Sequence, residues 1–322
     1  MRKFYFSFLL LVVASLPSAF AQADKGTNRI KRELSFTMDN DIFFFRDWYY
    51  TAGHQLTYRR LVQPDRPLYK FLNRSGTSPS KVLVAYTYGN KIFTPKRTST
   101  GVPQRMDRPY AGWSYGGFSM TRLKGSSAIS HLEAEIGAVG KISGMGQMQQ
   151  WWHRKVGYRE PRGWDSQISN EVVVNLNYQF LRSIKIANYI DLVSSSGVHA
   201  GTGLNKIDQS LTVRMMDFNS LTESTWFNGR LGYDGEDDKE EVFIFVSYGI
   251  EYVISNIFLE GSLLDNPSPR TVNAETWVHK KSFGIAHSKN RRSFLFEINY
   301  SSPEAENINR HSYVKISYAR RF

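Results

Sequence analysis

Oxygen-bearing side chains stand next to an aromatic run in the stretch MDNDIFFFRDWYYTAGHQLTY, residues 38–58. Asp39, Asn40 and Asp41 offer the carboxylate and amide oxygens that a hard cation such as Ca²⁺ prefers as ligands. An acidic strand end that opens a solvated loop, with aromatic side chains used for packing, explains the same residues. The stretch by itself therefore leaves a cation site and a plain loop as open alternatives.

A second candidate group lies in GMGQMQQWWHRKVGYREPRGW, residues 144–164. Good helix formers stand here between glycines, so we predict a short helix over 147–156. Gln149 and His153 are four residues apart and share one face of this helix. A histidine beside paired tryptophans suits a general base in a partly desolvated pocket. The helix also carries apolar and basic side chains that suit a membrane interface: Met148, Trp151, Trp152 and Lys155.

Other catalytic signatures are missing from the sequence. It contains no H-E-x-x-H zinc motif and no glycine-rich phosphate loop after a strand. Its G-x-S-x-G match, GWSYG at 112–116, lies inside a predicted strand and not at the strand-to-helix turn that a serine elbow requires. The acidic run YDGEDDKEE at 233–241 lacks EF-hand spacing, and a solvated charge run explains it more simply. The chemistry that remains is hydrolysis without a covalent serine. In that chemistry a cation held by Asp41 polarises an ester carbonyl and His153 activates water.

These groups have to be positioned by strands, because apolar and polar residues alternate along most of the chain. We predict about twelve strands, at 31–40, 51–62, 80–93, 109–123, 128–141, 167–181, 184–199, 205–217, 240–263, 275–287, 291–301 and 310–322. The predicted fold is all-β: a transmembrane antiparallel β-barrel of about 12 strands, with a short helix in a long extracellular loop. A soluble β-sandwich or jelly roll also explains the alternation, but not the strand count.

The connections of the predicted barrel differ in length. Two are short, near Leu123–Ser127 and Ser288–Asn290, and four are long, at 63–79, 94–108, 142–166 and 218–239. We therefore expect short turns on one rim and long loops on the other.

The first 21 residues predict export. Arg2 and Lys3 precede an apolar run, and Ala19-Phe20-Ala21 forms a cleavage site, so residues 1–21 are read as a signal peptide and 22–322 as a single outer-membrane β-barrel domain. The chain has no cysteine, which excludes disulfides and thiolate metal ligands. It closes on Phe322, and a last strand that ends on an aromatic residue resembles the signal read by the barrel-assembly machinery.

The net charge of +12 falls to about +10 once the signal peptide leaves. In an exported protein, this charge favours a phosphorylated lipid or polysaccharide as partner over nucleic acid.

Three motifs resemble the outer-membrane lipid A deacylase family: Asn40-Asp41, Tyr50-Thr51-Ala52-Gly53, and FTPKRTSTGVPQRMDRPYAGW at 93–113. The most specific block is DRPYAGW at 107–113. The resemblance continues through the predicted helix and covers nearly the whole mature chain, although beyond about residue 200 it is only a pattern. The resemblance implies a twelve-stranded barrel that lies among the lipids of the bacterial outer membrane. It also implies an enzyme that removes the 3′-linked acyloxyacyl chain of lipid A, the lipid part of lipopolysaccharide, by Ca²⁺-dependent hydrolysis.

The resemblance also implies roles for single residues. Asp41 corresponds to a Ca²⁺ ligand, and Asn40 to a ligand or a carbonyl-polarising group. Thr51 corresponds to an active-site hydroxyl and Gln149 to an active-site glutamine. His153 corresponds to the base that activates water.

Two positions depart from the family pattern. A family glutamate falls at Arg159 here, and Glu160 stands beside it as the nearest acid. A family lysine in the loop after the third strand corresponds to Lys96, with Arg97 adjacent. We assign these three residues, Lys96, Arg97 and Glu160, to substrate binding.

The strand phase raises a geometric question. Strict alternation places Asp39, Asp41 and Thr51 on the lumen side and Asn40 on the lipid side. A shared site then requires that the first strand bulge or end near residue 40, or that Asn40 act from above the bilayer.

Two other functions fit the pattern of strands. A non-enzymatic barrel, such as a narrow porin or a binding protein, would use residues 39–41 only to line a rim. An outer-membrane phospholipase with a serine nucleophile is disfavoured, because its His-x-Ser pattern is missing.

Overall fold

The computed structural model describes residues 30–74, 80–232, 240–264 and 266–322. The predicted signal peptide, residues 1–21, lies outside the described residues, as do residues 233–239 of the acidic run.

Twelve antiparallel strands of the described chain close into one barrel, which confirms the predicted fold. Each strand pairs with the next along the chain, and the last pairs with the first. Their bounds are β1 Arg32–Asn40, β2 Tyr49–Leu61, β3 Ser80–Thr94, β4 Ala111–Lys124, β5 Ala128–Val139, β6 Glu171–Ala187, β7 Ile190–Gly201, β8 Leu204–Asp217, β9 Glu241–Asn256, β10 Trp277–Lys289, β11 Arg292–Ser301 and β12 His311–Arg321.

Three short α-helices accompany the barrel: α1 Pro67–Leu72, α2 Met145–Val156 and α3 Ile257–Glu260. Helix α2 confirms the helix predicted over 147–156. None of the helices in the described ranges has the length and apolar character that crossing a membrane requires.

Two predicted strand boundaries were wrong. The turn between β6 and β7 falls at residues 188–189 and not at 182–183, because Arg182 and Ser183 continue the alternation as ordinary strand residues. The predicted ninth strand, 240–263, runs too far, since its last residues form α3.

The expected division into a short-turn rim and a long-loop rim was also wrong. The rim at which β1 begins and β12 ends, the terminal rim, has short turns after β4, β6 and β10, but it also holds the long connections at 62–79 and 218–240. The opposite rim holds the connections at 41–48, 95–110, 140–170, 257–276 and 302–310, together with a two-residue turn between β7 and β8. We call it the site rim.

The long connection after β8 explains this departure, because its described residues at 218–232 fold into the barrel. Leu221 and Leu231 are fully buried, and Trp226 and Phe227 pack beside them. They contact inward-facing strand residues: Leu83, Leu123, Ile129, Leu181 and Val193. A buried apolar cluster therefore fills the lumen at the terminal rim.

The opposite end of the lumen is filled as well. Ile257 and Phe258 of α3 pack against inward-facing Trp113, Tyr115 and Phe93. Between the two clusters lies a cavity of about 350 Å³. Its wall is rich in hydroxyl and amide groups, including Ser35, Thr37, Gln55, Gln179, Ser195 and Thr212. The lumen is thus polar in its middle and apolar at both ends.

Truncation of Leu221, in the buried apolar cluster at the terminal rim, should strongly lower the stability of the barrel. Leu221→Ala removes a fully buried side chain and should lower the free energy of unfolding by about 2–5 kcal/mol. Leu211→Ala, on an outward strand position that is 49% exposed, is the matched control and should cost much less. Urea unfolding in detergent micelles measures both. An equal loss of unfolding free energy in the two variants would contradict the described packing of Leu221.

Candidate active site

The candidate residues meet on the outer wall of the barrel and not in its lumen. Asn40 pairs with Ala52, Ala52 pairs with Ile92, and Ile92 pairs with Gly112, so all four share one face. Tyr88 has the same phase as Ile92 and is exposed on the outside. Ile92 is nevertheless only 2% exposed, because it packs in a cluster with Met106, Tyr110, Met145 and Trp164. The connection between β5 and β6 therefore covers this part of the outer wall.

Gly112 lets α2 reach the wall. A Cβ atom on Gly112 would lie 2.5 Å from the Cβ of Met145 and 2.7 Å from the Oγ of Ser143. Real Cβ atoms do not come this close, so the position requires glycine. The buried face of α2 is then formed by Met145, Gln149 and His153, spaced four residues apart.

A chain of polar contacts runs from the buried face of α2 to the loop after β1. The indole Nε1 of Trp164 donates to Oε1 of Gln149 at 2.9 Å, which turns the amide NH₂ the other way. The amide Nε2 of Gln149 donates to Oδ1 of Asp47 at 3.0 Å. The other oxygen of Asp47, Oδ2, lies 3.4 Å from Nε2 of His153. Asp47 therefore joins both helical site residues.

The tautomer of His153 follows from its second contact. Gly157, in the left-handed region at φ +73°, ends α2 and reverses the chain. The backbone carbonyl of Arg159 then lies 2.7 Å from Nδ1 of His153. A carbonyl can only accept, so Nδ1 carries the proton and Nε2 of the neutral ring keeps its lone pair. His153 is 5% exposed, and its free basic atom faces the site.

A ring of hydrogen bonds holds the loop from Asp41 to Thr51. The Asp41 amide donates to the Thr51 carbonyl at 3.2 Å, and the Trp48 amide donates to Oδ2 of Asp41 at 2.9 Å. Oγ1 of Thr94 donates to the Asp47 carbonyl at 3.2 Å and lies 2.8 Å from Oγ1 of Thr51. Asp41, Thr51 and Asp47 are thereby fixed around one small volume.

The Asp41 carboxylate is buried without full compensation. The residue is 1% exposed, and its Oδ1 has no hydrogen-bond partner among the described residues. Burial is the main reason that the pKa of Asp41 rises to about 8, and the nearby charge of Asp47 raises it further. Burial also raises the pKa of Asp47, although His153 and Gln149 oppose the rise. The site therefore favours positive charge beside these two acids.

Residues 107–113 contact the segments that surround the site. Asp107 accepts from the Tyr49 hydroxyl and from the Lys96 amide, both at 2.9 Å. Tyr110 packs on Trp164 with ring centroids 4.9 Å apart. Together with Gly112, this block orients the loops that carry the candidate residues.

A family profile described as "Outer membrane protein LpxR" matches residues 6–322. The chain belongs to the LpxR family. LpxR from Salmonella typhimurium shares the fold, with a TM-score of 0.71 at 19% identity over 90% of this chain and 100% of that chain. No curated protein matches the sequence.

Autotransporter barrels are more distant. The β domain of Bordetella BrkA has a TM-score of 0.44 at 8% identity, over 91% of this chain and 99% of that chain. The translocator domain of NalP from Neisseria meningitidis has a TM-score of 0.45 at 9% identity, over 100% of this chain and 96% of that chain. Membership of the LpxR family confirms the predicted location in the bacterial outer membrane.

The LpxR-family barrel answers the question of strand phase. β1 ends at Asn40, one of the arrangements that the sequence allowed, and Asn40 has the phase of the covered outer wall. Asp39 has the lumen phase and accepts from the Tyr50 hydroxyl at 2.7 Å. The placement of Thr51 in the lumen was wrong, because the pairing of β2 with β3 shifts between Tyr50 and Ala52 and this bulge brings Thr51 to Thr94.

The remaining predicted residues are less closely gathered. Oδ1 of Asn40 accepts from the Ile42 amide at 2.7 Å. Nζ of Lys96 lies 5.0 Å from the centroid of the Trp48 ring. Arg97 is exposed. Glu160 forms a 2.8 Å ion pair with Arg154, and both side chains are largely exposed. The described contacts thus do not bring Arg97 or Glu160 to the cluster.

Three residues of this site were not predicted from the sequence: Asp47, Thr94 and Trp164. Asp47 stands within the aromatic run and belongs to no spacing pattern. Thr94 reads as an ordinary strand end. For Asp47 the available signal was an acid flanked by Arg46 and Trp48 between two candidate motifs.

The contact at Gly112 predicts that a single methyl group displaces α2. Gly112→Ala should loosen the helix, so backbone amides at 145–156 should exchange hydrogen faster in mass spectrometry. Gly116→Ala is the matched control in the same strand and phase, because the nearest atom to its Cβ would be 4.0 Å away. Unchanged exchange in Gly112→Ala would contradict this seating of α2.

Proposed function

We propose that this outer-membrane protein is a hydrolase that removes the 3′-linked acyloxyacyl chain of lipid A. The observation that carries the proposal is the position of buried His153, whose Nδ1 is held by the Arg159 carbonyl and whose Nε2 faces Asp47 in a polar site on the outside of the barrel wall. A lipid in the outer leaflet can bring an ester to this place without leaving the membrane. A site in the lumen would require the same lipid to cross the wall.

The reaction needs a base and one water molecule. Nε2 of His153 takes a proton from water as the water oxygen bonds to the ester carbonyl carbon. Collapse of the tetrahedral oxyanion breaks the bond to the sugar oxygen, which takes the proton back from Nε2. The products are the free acyloxyacyl acid and lipid A with a 3′ hydroxyl. The Arg159 carbonyl keeps the ring in the required tautomer throughout.

Asn40 is suited to polarise the ester carbonyl. Its Oδ1 is engaged by the Ile42 amide, which points the amide nitrogen away from this turn. The described residues offer that nitrogen no hydrogen-bond partner, so its two N–H groups are free to donate to an oxyanion. Gln149 has a different task, because its amide is already held between Trp164 and Asp47. It fixes the loop that carries Asp47 against α2.

The donor set near Asp41 fits the implied Ca²⁺. The buried carboxylate oxygen Oδ1 of Asp41 lacks a partner in the described chain, and a hard cation prefers such an oxygen as a ligand. Asp41 would hold the ion, and Asn40 or Thr51 would add a neutral oxygen. Bound there, Ca²⁺ would stabilise the negative charge that develops on the ester oxygen.

Basic and apolar groups around the site match the two parts of lipid A. Arg46 and Lys96 both lie over the Trp48 ring, at 5.3 and 5.0 Å from its centroid, and suit the phosphate of a glucosamine lipid. Arg97 stands next to Lys96 on the exposed loop. Phe45, 92% exposed, and the exposed Trp151 and Trp152 of α2 suit the acyl chains.

The first test is mass spectrometry of lipid A from cells that express the protein. Cells with the wild-type protein should lose one acyloxyacyl unit, and His153→Ala should lower the rate about 100-fold or more, because it removes the general base. His287→Ala is the matched control, since His287 is exposed at the terminal rim and pairs with Glu240. Addition of a Ca²⁺ chelator to the wild type should prevent the loss. Unchanged lipid A in wild-type cells would overturn the proposal.

A non-enzymatic barrel remains the second function, and its porin form is disfavoured by the filled lumen. Leu221 and its neighbours at one end and Phe258 at the other leave no wide polar path in the described part of the barrel. We therefore expect the purified protein to show no stepwise ion conductance in planar bilayers. Conductance steps of porin size, with unchanged lipid A, would favour the channel.

A further inference from the structure

We infer that Asp47 joins Asp41 as the second acidic ligand of the cation site. The inference rests on the proposed function only for the identity of the ion as Ca²⁺. It concerns a residue that stands in the loop between β1 and β2, far in sequence from α2.

The Asp41 carboxylate contacts the peptide unit that follows Asp47. Oδ2 of Asp41 accepts from the amide of Trp48, the residue directly after Asp47, at 2.9 Å. The other oxygen of Asp41 is buried and has no partner among the described residues. An acceptor that is removed from water and left unpaired is costly, and a cation satisfies it.

The contact between Asp47 and His153 also requires a positive group. Nδ1 of His153 donates to the Arg159 carbonyl, so in the neutral ring Nε2 turns a lone pair towards Oδ2 of Asp47, 3.4 Å away. Two acceptors that face each other repel unless a cation, its bound water or a proton lies between them. A cation beside Asp47 relieves this repulsion and leaves Nε2 able to act as a base.

Thr51 supplies a neutral oxygen in the same place. Thr94 donates its single hydroxyl proton to the Asp47 carbonyl. In the 2.8 Å contact between Thr51 and Thr94, Thr51 is therefore the donor. The lone pairs of the Thr51 oxygen therefore remain available as a ligand. Ca²⁺ takes 6–8 oxygens, and carbonyl, hydroxyl and water oxygens commonly complete a site with few carboxylates. Because no three His, Cys, Asp or Glu side chains of the described residues are grouped to hold a metal, such neutral oxygens would have to complete this site.

Glu160 lacks the corresponding features. Its carboxylate is 43% exposed and already neutralised by Arg154 at 2.8 Å. The neighbouring Arg159 contributes its backbone carbonyl to His153. The acid required by the site thus comes from the loop after β1.

Terbium luminescence tests the inference without any lipid. Tb³⁺ replaces Ca²⁺ at sites made of oxygen ligands, and a nearby tryptophan excites its luminescence. Trp48 is such a neighbour, because its backbone amide donates a hydrogen bond to Asp41. The full-length protein, folded in detergent, is titrated with Tb³⁺ and then with competing Ca²⁺. Asp47→Asn should weaken both affinities about tenfold or more, because it removes one negative ligand.

Two matched variants give the control. Glu160→Gln tests the rival acid, and Asp165→Asn removes an exposed carboxylate beside Trp164. Both should bind Tb³⁺ within about twofold of the wild type. Wild-type affinity in Asp47→Asn, or a tenfold loss in Glu160→Gln, would overturn the inference.

A second measurement needs no variant and so does not depend on the folding of Asp47→Asn. Ca²⁺ should slow hydrogen exchange of wild-type amides at 41–51, and unchanged exchange would overturn the inference. Binding that depends on Asp47 together with unchanged lipid A would sink the proposed function alone. Deacylation that requires Ca²⁺ together with normal binding by Asp47→Asn would sink this inference alone.

Discussion

The close contact between α2 and the outer wall at Gly112 is the constraint on which the site depends. Only because this position lacks a side chain can Met145 lie against β4. The spacing of a helix then places Gln149 and His153 on the same face, against Asp47 in the loop after β1. The loop after β1 fills the remaining space with Asp41 and Asp47. A shift of the helix by one methyl group would move His153 away from Asp47.

The barrel itself is a scaffold with two different faces. Its lumen is filled at both ends and holds polar groups that satisfy one another, such as Thr37 with Ser317 at 2.7 Å. The outer wall is apolar, except where α2 and the first loop cover it. This division places the candidate chemistry beside the membrane. A water-soluble substrate would instead favour an open lumen.

Much of this architecture could be predicted from the sequence. Alternation predicts the strands, and the glycines at 144 and 157 predict the helix that aligns Gln149 with His153. The covered face could not be predicted, because period 2 separates two faces without showing which of them a distant helix will cover. The bulge at Thr51 leaves no mark in the pattern. Asp47 was missed because its partners lie about 100 residues away, and tertiary contacts alone bring them together. The packing of residues 221–231 in the lumen could not be predicted, because the sequence of a long connection does not show whether it folds into the barrel or away from it.

The position of a lipid A ester in the bound protein tests the central claim most directly. A crystal structure of the inactive His153→Ala variant with lipid A would show it. We predict that the 3′ ester lies outside the barrel wall, under α2 and next to the space vacated by the imidazole. The acyl chains should then run past Trp151 and Trp152 towards the membrane. Lipid A bound within the lumen, or bound away from Asp41 and Asp47, would contradict the account.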